Sequence, residues 1–150
     1  MRISDDVYDI LKKSFPIPCV DLIVVNERDE ILLVKRKNQP AKNQWWFPGG
    51  RVMHNEYRNV AAIRKLKEEC GIISSNPVEW KTVEIFLQDN EQGYSSHGIS
   101  TLYLICTGEN KVKLDEQSSD FAWKNISEWK KIVTNGFIAN ILEEFSHYKK

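Results

Sequence analysis

Phe47-Pro48-Gly49-Gly50-x5-Glu56-x7-Arg64-Lys65-Leu66-x-Glu68-Glu69-x-Gly71-Ile72 carries more structural information than any other part of this 150-residue chain. Trp45-Trp46-Phe47 reads as a short aromatic strand stopped by Pro48-Gly49-Gly50, and a helix follows it. Asn55 is placed to cap the start of that helix, and Gly71 suits the left-handed position that commonly follows a helix end. Successive helical residues turn by about 100°, which puts Val60, Ile63, Leu66 and Cys70 on one side and Arg64, Lys65, Glu68 and Glu69 on the other. One side packs, and the other faces solvent or a site. Carboxylates one turn apart beside a glycine turn with open backbone groups are hard oxygen donors of the kind magnesium takes. Arg64 stands four residues before Glu68 and two helical turns after Glu56, so Glu56 and Arg64 read as braces of the group. A solvated helix of alternating charge is the plainer reading, but so many fixed positions at such long spacings rarely coincide.

Outward from this stretch the patterns are shorter. Upstream, the Val-, Ile- and Leu-rich runs Cys19 to Val25 and Glu30 to Arg36 flank polar Asn26-Glu27-Arg28-Asp29, a hairpin signature, and Pro40 to Gln44 is loop. Before the hairpin, Val7, Ile10 and Leu11 lie at helical spacing behind Ser4 as N-cap, and Pro16 and Pro18 end that helix. Downstream, Val78 to Gln88 and Ile99 to Thr107 read as strands separated by a polar loop from Asp89 to Gly98, with Phe121-Ala122-Trp123 as a short last strand. Ser127 caps a short helix containing Trp129, and Phe137, Ile141, Leu142 and Phe145 space out a closing helix to Tyr148. The expected class is α/β (α+β): a mixed sheet with one central helix and helices near both ends.

Length fits one domain spanning 1–150. With 41% hydrophobic and 28% charged residues, and 21 basic residues offset by 21 acidic ones, nothing suggests a broad nucleic-acid-binding face. The start Met1-Arg2-Ile3-Ser4-Asp5-Asp6 lacks the basic-then-apolar order of a secretory signal, and no apolar run approaches membrane-spanning length. Cys19, Cys70 and Cys106 are odd in number and set among apolar or helical residues, which predicts buried reduced thiols and a cytoplasmic protein.

The central stretch resembles the Nudix box, G-x5-E-x7-R-E-U-x-E-E-x-G-U with U aliphatic, matched at every fixed position except one: Lys65 stands where the pattern has Glu. Loss of that Glu is also a feature of one branch, the GDP-mannose mannosyl hydrolases. Leu32-Leu33-Val34-Lys35-Arg36-x-Asn38-Gln39-Pro40-Ala41, Trp45-x-Phe47-Pro48-Gly49-Gly50-Arg51-Val52, Asp89-Asn90 and Asp115-Glu116-Gln117 are similar to that branch, covering the chain from about Val20 to Trp123.

The resemblance implies a Nudix-type α/β/α sandwich and a magnesium ion, replaceable by manganese, held by the Gly50 carbonyl, Glu69 and Gln117 with Glu68 as a direct or water-mediated ligand. Lys65 opposes further ions by repulsion, so one ion per site is expected. Arg36 and Arg51 would grip the diphosphate, since guanidinium groups pair with phosphate oxygens. Asp21 interrupts an apolar strand, where an ionised side chain needs a partner, and Arg36 or a sugar hydroxyl would serve; the plainer alternative puts it on a half-exposed strand face. Tyr103, with Trp45 and Trp46, can stack on a base or sugar, although strand aromatics are first of all core. The branch has a His base shortly after the Asp-Glu-Gln triplet, whereas this chain has Ser118 and Ser119. His97, from its loop, is the stand-in if that loop folds over the site, with Glu116 and Asp120 as other candidates, and His54 lies beside the box. The implied activity is hydrolysis of a nucleoside diphosphate sugar at the sugar carbon. The alternatives are attack at phosphorus within the diphosphate, helped by Glu68, and a nucleotide-binding module that has lost turnover. A homodimer is implied, with the N-terminal helix a contributor, and neither nucleic acid nor membrane is an expected partner.

Overall fold

Val20 to Val24 is an almost unbroken β-branched and leucine run, buried throughout, and only a strand covered on both faces accommodates such a run. The computed structural model describes residues 3–38, 41–89 and 94–149. Met1, Arg2, Gln39, Pro40 and Asn90, which belong to the sequence motifs, lie outside the described residues. In chain order the elements are α1 (Asp5–Ser14), β1 (Ile17–Val25), β2 (Ile31–Arg36), β3 (Trp45–Trp46), β4 (Gly49–Arg51), α2 (Arg58–Cys70), β5 (Val78–Asp89), β6 (Tyr94–Cys106), β7 (Ser118–Lys124), α3 (Ile126–Ile132) and α4 (Gly136–Tyr148). They form a seven-stranded mixed sheet, ordered β3-β2-β1-β6-β5, with β4 paired to β1 and β7 to β2.

β1 is the spine of this sheet. One edge runs parallel to β6 from Ile17 opposite Gly98 to Val25 opposite Cys106. The other edge is shared: β2 meets it at the hairpin end, Val25 opposite Ile31, while β4 lies antiparallel along Cys19 to Asp21. That split brings the glycine turn against the middle of the sheet. Only glycine fits there, because a β-carbon on Gly49 would stand 2.2 Å from the Val20 carbonyl oxygen.

Two apolar layers enclose the sheet. Val20, Leu22, Val24, Leu32, Val34, Tyr103 and Ile105 pack against Ala61, Ala62, Leu66 and Cys70 of α2. On the opposite face Ile23, Ile31, Leu33, Phe47 and Leu102 pack against Trp129 of α3 and Ile138, Ile141, Leu142 and Phe145 of α4. The Trp129 indole also donates to the Ile31 carbonyl at 2.8 Å, fixing α3 over the hairpin. The α/β/α sandwich is therefore present.

Several boundaries differ from the sequence expectation. α2 starts at Arg58 behind Tyr57, with no side-chain cap, and Asn55 sits at φ 61°. Met53 N–H donates to the Glu56 carboxylate and Glu56 N–H to the Met53 carbonyl, so residues 53–56 close a turn in which Asn tolerates the left-handed region. Gly71 does terminate the helix in that region, at φ 68°. The packed face of α2 is rotated from the expected one: Val60 is 46% exposed, while Lys65 and Glu69 are buried. β6 begins at Tyr94, well before Ile99, because residues 94–98 pair with 85–89 as a continuation of the β5–β6 ribbon; His97 is thus a strand residue and not a loop residue. The α3 cap is Asn125, in a capping box with Glu128, and the Ser127 hydroxyl donates to Asn125 instead of capping. Cys70 is buried as expected and Cys19 partly so, but Cys106, at the end of β6, is exposed; all three are free thiols. Among the described residues no helix is long and apolar enough to cross a membrane.

Candidate functional site

The site is built from β4, the end of β2 and the last turns of α2. Arg64 organises its outer side. Its Nε and Nη2 donate to the two Glu56 carboxylate oxygens at 2.7 and 2.9 Å, Nη2 also reaches the Arg51 carbonyl at 3.0 Å, and Nη1 reaches Glu68 at 3.1 Å. The fork geometry suits a planar guanidinium and pulls the Glu56 carboxyl below its ordinary value. One residue thereby ties the turn before α2, the helix and β4 together.

One position further on, Lys65 turns inward. Its ammonium lies 3.5 Å from Glu69 Oε1 and 3.6 Å from Glu68 Oε2, and its side chain is only 8% exposed. The other Glu69 oxygen accepts the Gly49 N–H at 2.8 Å. Burial dominates the Glu69 carboxyl and raises it to about 7, against the lowering influence of Lys65 and Gly49; Asp115 adds to the rise. Asp115 is a residue the sequence reading did not place: its N–H donates to the Glu69 carbonyl at 3.3 Å. Its one signal in the sequence is membership of the Asp115-Glu116-Gln117 triplet.

Asp21 is buried on the α3/α4 face, not on a half-exposed one. Trp46 Nε1 donates to one carboxylate oxygen at 3.2 Å and the Ser100 hydroxyl to the other. Burial raises its carboxyl to about 6, with these two hydrogen bonds and the charge of Arg36 opposing. Arg36 in turn is lowered by burial, against the raising charges of Glu69, Asp21 and Tyr8. Arg51 lies with its guanidinium 4.7 Å over the Tyr8 ring. Tyr8, from α1, is a second residue missed in the sequence; it is one aromatic in a short polar helix, and nothing in the pattern marked it.

The remaining expected residues fall elsewhere. Gln117 is exposed; its backbone N–H donates to the Asp115 carboxylate, and its carbonyl accepts from the Lys37 N–H. Ser118 is buried opposite Arg36 in the β2–β7 pairing, and Glu116, Ser119 and Asp120 are exposed. His97 stacks on Phe86 at 4.4 Å, with Nε2 buried 3.5 Å from Glu84, so its contacts are to β5. Tyr103 donates to Glu79 at 3.2 Å in a cavity of about 270 Å³ that none of Gly50, Glu68 or Glu69 lines. Trp45 and Trp46 pack on Trp129 and Phe137, and His54 is exposed.

A glycine turn opening a braced carboxylate helix, mounted at the middle of a mixed sheet between helical layers, defines a protein of the α/β/α sandwich type with its candidate site at that turn. Residues 16–145 match the NUDIX domain, and the chain belongs to that family. It is 32% identical over 120 residues to the low-salt glycan biosynthesis protein Agl8 of Haloferax volcanii, covering 79% of this chain and 76% of the relative. It is also 32% identical over 100 residues to an ADP-ribose pyrophosphatase of Methanocaldococcus jannaschii, covering 65% of this chain and 57% of that one. The fold matches the NUDIX domain of Shewanella oneidensis NrtR complexed with ADP ribose at TM-score 0.76 and 17% identity, covering 99% and 100% of the two chains.

Nudix hydrolases generally use divalent metal ions such as Mg²⁺. The donor set of this chain does not fit a protein-held ion as it stands. Among the described residues no group of three or more His, Cys, Asp or Glu side chains is gathered to hold one. Glu69 is already countered by Lys65 and the Gly49 amide and Glu68 by Arg64 and Lys65, while Asp115 lies beside Glu69.

Proposed function

We propose that this protein hydrolyses a nucleoside diphosphate joined to a sugar or a similar group, attacking within the diphosphate. The observation that carries the reading is the group at the glycine turn: half-buried Arg36 and Arg51 for the phosphates, with buried Glu69, raised to about 7, feeling the charge of Arg36. A carboxylate titrating near neutrality is poised to take a proton from water. Water oxygen then bonds to phosphorus, the bridging phosphorus–oxygen bond breaks, and the products are a nucleoside monophosphate and a sugar phosphate. The guanidinium groups stabilise the charge that develops on the departing phosphate. Relatives described as a glycan biosynthesis protein and as an ADP-ribose pyrophosphatase support a nucleotide linked to a sugar as the substrate class. The divalent ion enters this reading with the substrate, as the counter-ion of its diphosphate, magnesium first and manganese second.

A second reading, release of free sugar from a compound such as GDP-mannose, is favoured by Lys65 in place of the box Glu and by the segments similar to that branch. Against it stands the position of His97, whose contacts are to β5, leaving Glu116 and Asp120 as the remaining candidates for the base of sugar-carbon attack, a reaction that without a base loses about a hundredfold or more in acceleration. One experiment separates the two: GDP-mannose, ADP-ribose and other sugar nucleotides, beside plain di- and triphosphates, incubated in ¹⁸O water with and without Mg²⁺. Label in a phosphate product is expected. Label in free sugar establishes the second reading, and no turnover of any sugar nucleotide removes both.

A further inference from the structure

We propose that the Lys65 ammonium is the cation this chain keeps at its glycine turn for the diphosphate, and that it stands in place of a protein-held divalent ion. Three geometric facts carry this. The ammonium sits between Glu68 and Glu69, at 3.6 and 3.5 Å, in the gap two carboxylates would otherwise offer to a metal. Its stem fills the space left by the missing side chain of Gly50: a β-carbon there would stand 2.6 Å from Lys65 Cε and 3.1 Å from Nζ. Both oxygens of the buried acid are engaged from this side, one by Lys65 and the other by the Gly49 amide.

A dication placed about 4 Å from an ammonium in a poorly solvated pocket meets a repulsion, and the two carboxylates it would use, Glu68 and Glu69, are already paired with that ammonium. The same ammonium is a compact, flexible point charge of the sort that meets phosphate oxygens without needing a fixed fork. Arg51, next along β4 with its guanidinium over Tyr8, and Arg36, whose charge reaches Glu69 and Tyr8, are the further cations on this side of the molecule. A diphosphate offers its phosphate oxygens to these cations as further partners. On its arrival Lys65 exchanges one carboxylate neighbour for a phosphate oxygen, which leaves the number of its charge-assisted contacts unchanged.

This inference rests on the reading that the turn receives a diphosphate, and its test is independent of turnover. The wild-type protein is titrated with Mn²⁺ alone, followed by electron paramagnetic resonance, and with inorganic pyrophosphate by calorimetry in EDTA and in Mg²⁺. The Lys65→Met and Lys65→Glu variants are treated alike. Expected are no stoichiometric Mn²⁺ on the wild type below millimolar concentration, pyrophosphate affinity in EDTA within about threefold of that in Mg²⁺, and a loss of about tenfold or more for Lys65→Met in EDTA. Lys65→Glu is expected to gain Mn²⁺ affinity of about tenfold or more. Stoichiometric micromolar Mn²⁺ on the wild type, absence of pyrophosphate binding in EDTA, or Lys65→Met binding pyrophosphate as the wild type does, overturns the proposal. Should Lys65→Met fail to fold, the wild-type titrations decide alone. Lys65-dependent pyrophosphate binding without hydrolysis of any sugar nucleotide removes the proposed function and leaves this inference standing; metal-caged binding with hydrolysis does the reverse.

Discussion

Arg64 reaches four oxygen atoms from one guanidinium, and Glu56 is the partner that most needs it, since the Glu56 side chain is only 12% exposed. Truncating one member of such a pair leaves the other charge poorly solvated. Arg64→Ala is therefore expected to lower stability by about 2 kcal/mol in urea denaturation, and Arg64→Lys to recover less than half, because an ammonium cannot span both Glu56 oxygens and the Arg51 carbonyl. A double-mutant cycle with Glu56→Gln should give a coupling of about 1–2 kcal/mol. Coupling near zero would show that the two residues do not hold each other. The spacing of Glu56 and Arg64 was open to reading in the sequence because both lie on one helical row projected across a turn. The burial of Lys65 was not, since a lysine four residues before a glutamate is the ordinary signature of an exposed pair. Gly50 decides the matter by leaving a hole that only the fold reveals.

At the scale of elements, α1 shows what pattern alone leaves out. Its bounds and its Ser4 cap agree with the sequence expectation, yet Val7 and Ile10, the residues that define its apolar spacing, are 46% and 63% exposed. The half-buried residues include Tyr8, which carries Arg51, and burial raises its hydroxyl against the pull of Arg51 and Lys12. Amphipathic spacing marks a helix but not the partner that covers it. The β1–β2 hairpin, the α2 terminus at Gly71 and the α4 helix were legible because each combines a strong apolar period with a definite turn or cap residue. The early start of β6 was not, because Ser95, Ser96 and His97 gain their strand conformation from pairing with β5. If Tyr8 holds Arg51 for the diphosphate, Tyr8→Ala should weaken pyrophosphate or nucleotide binding by about fivefold, in line with a cation–π contact of about 1 kcal/mol. Tyr8→Phe keeps the ring and should stay within about twofold. Titration calorimetry separates the cases: equal losses in both variants would assign the effect to the hydroxyl, and no loss in either would detach α1 from the site.

Across the whole molecule, the sandwich encloses two acids whose protonation is tied to folding. Asp21 is raised from its ordinary 3.8 to about 6 and Glu69 from 4.5 to about 7, in both cases chiefly by burial. Between these values the native chain holds protons that the unfolded chain has released. Their contribution to stability is complete below the unfolded values and is lost as pH rises through about 6 and then about 7. Glu56 works in the opposite sense: Arg64 holds it below its ordinary 4.5, so what it contributes is present above that value and lost only on further acidification. From about pH 5 to pH 8 the two buried acids therefore dominate, and the unfolding free energy should fall by on the order of 4 kcal/mol. Asp21→Asn, which keeps the shape and cannot ionise, should remove the part of the fall that ends near 6 while leaving the part that runs on to about 7 in place. Chemical denaturation at closely spaced pH values measures both curves. A wild-type profile that rises toward pH 8, or one that Asp21→Asn leaves unaltered, would mean that Asp21 is ionised in the native protein at little expense, with Arg36 as its full counter-charge.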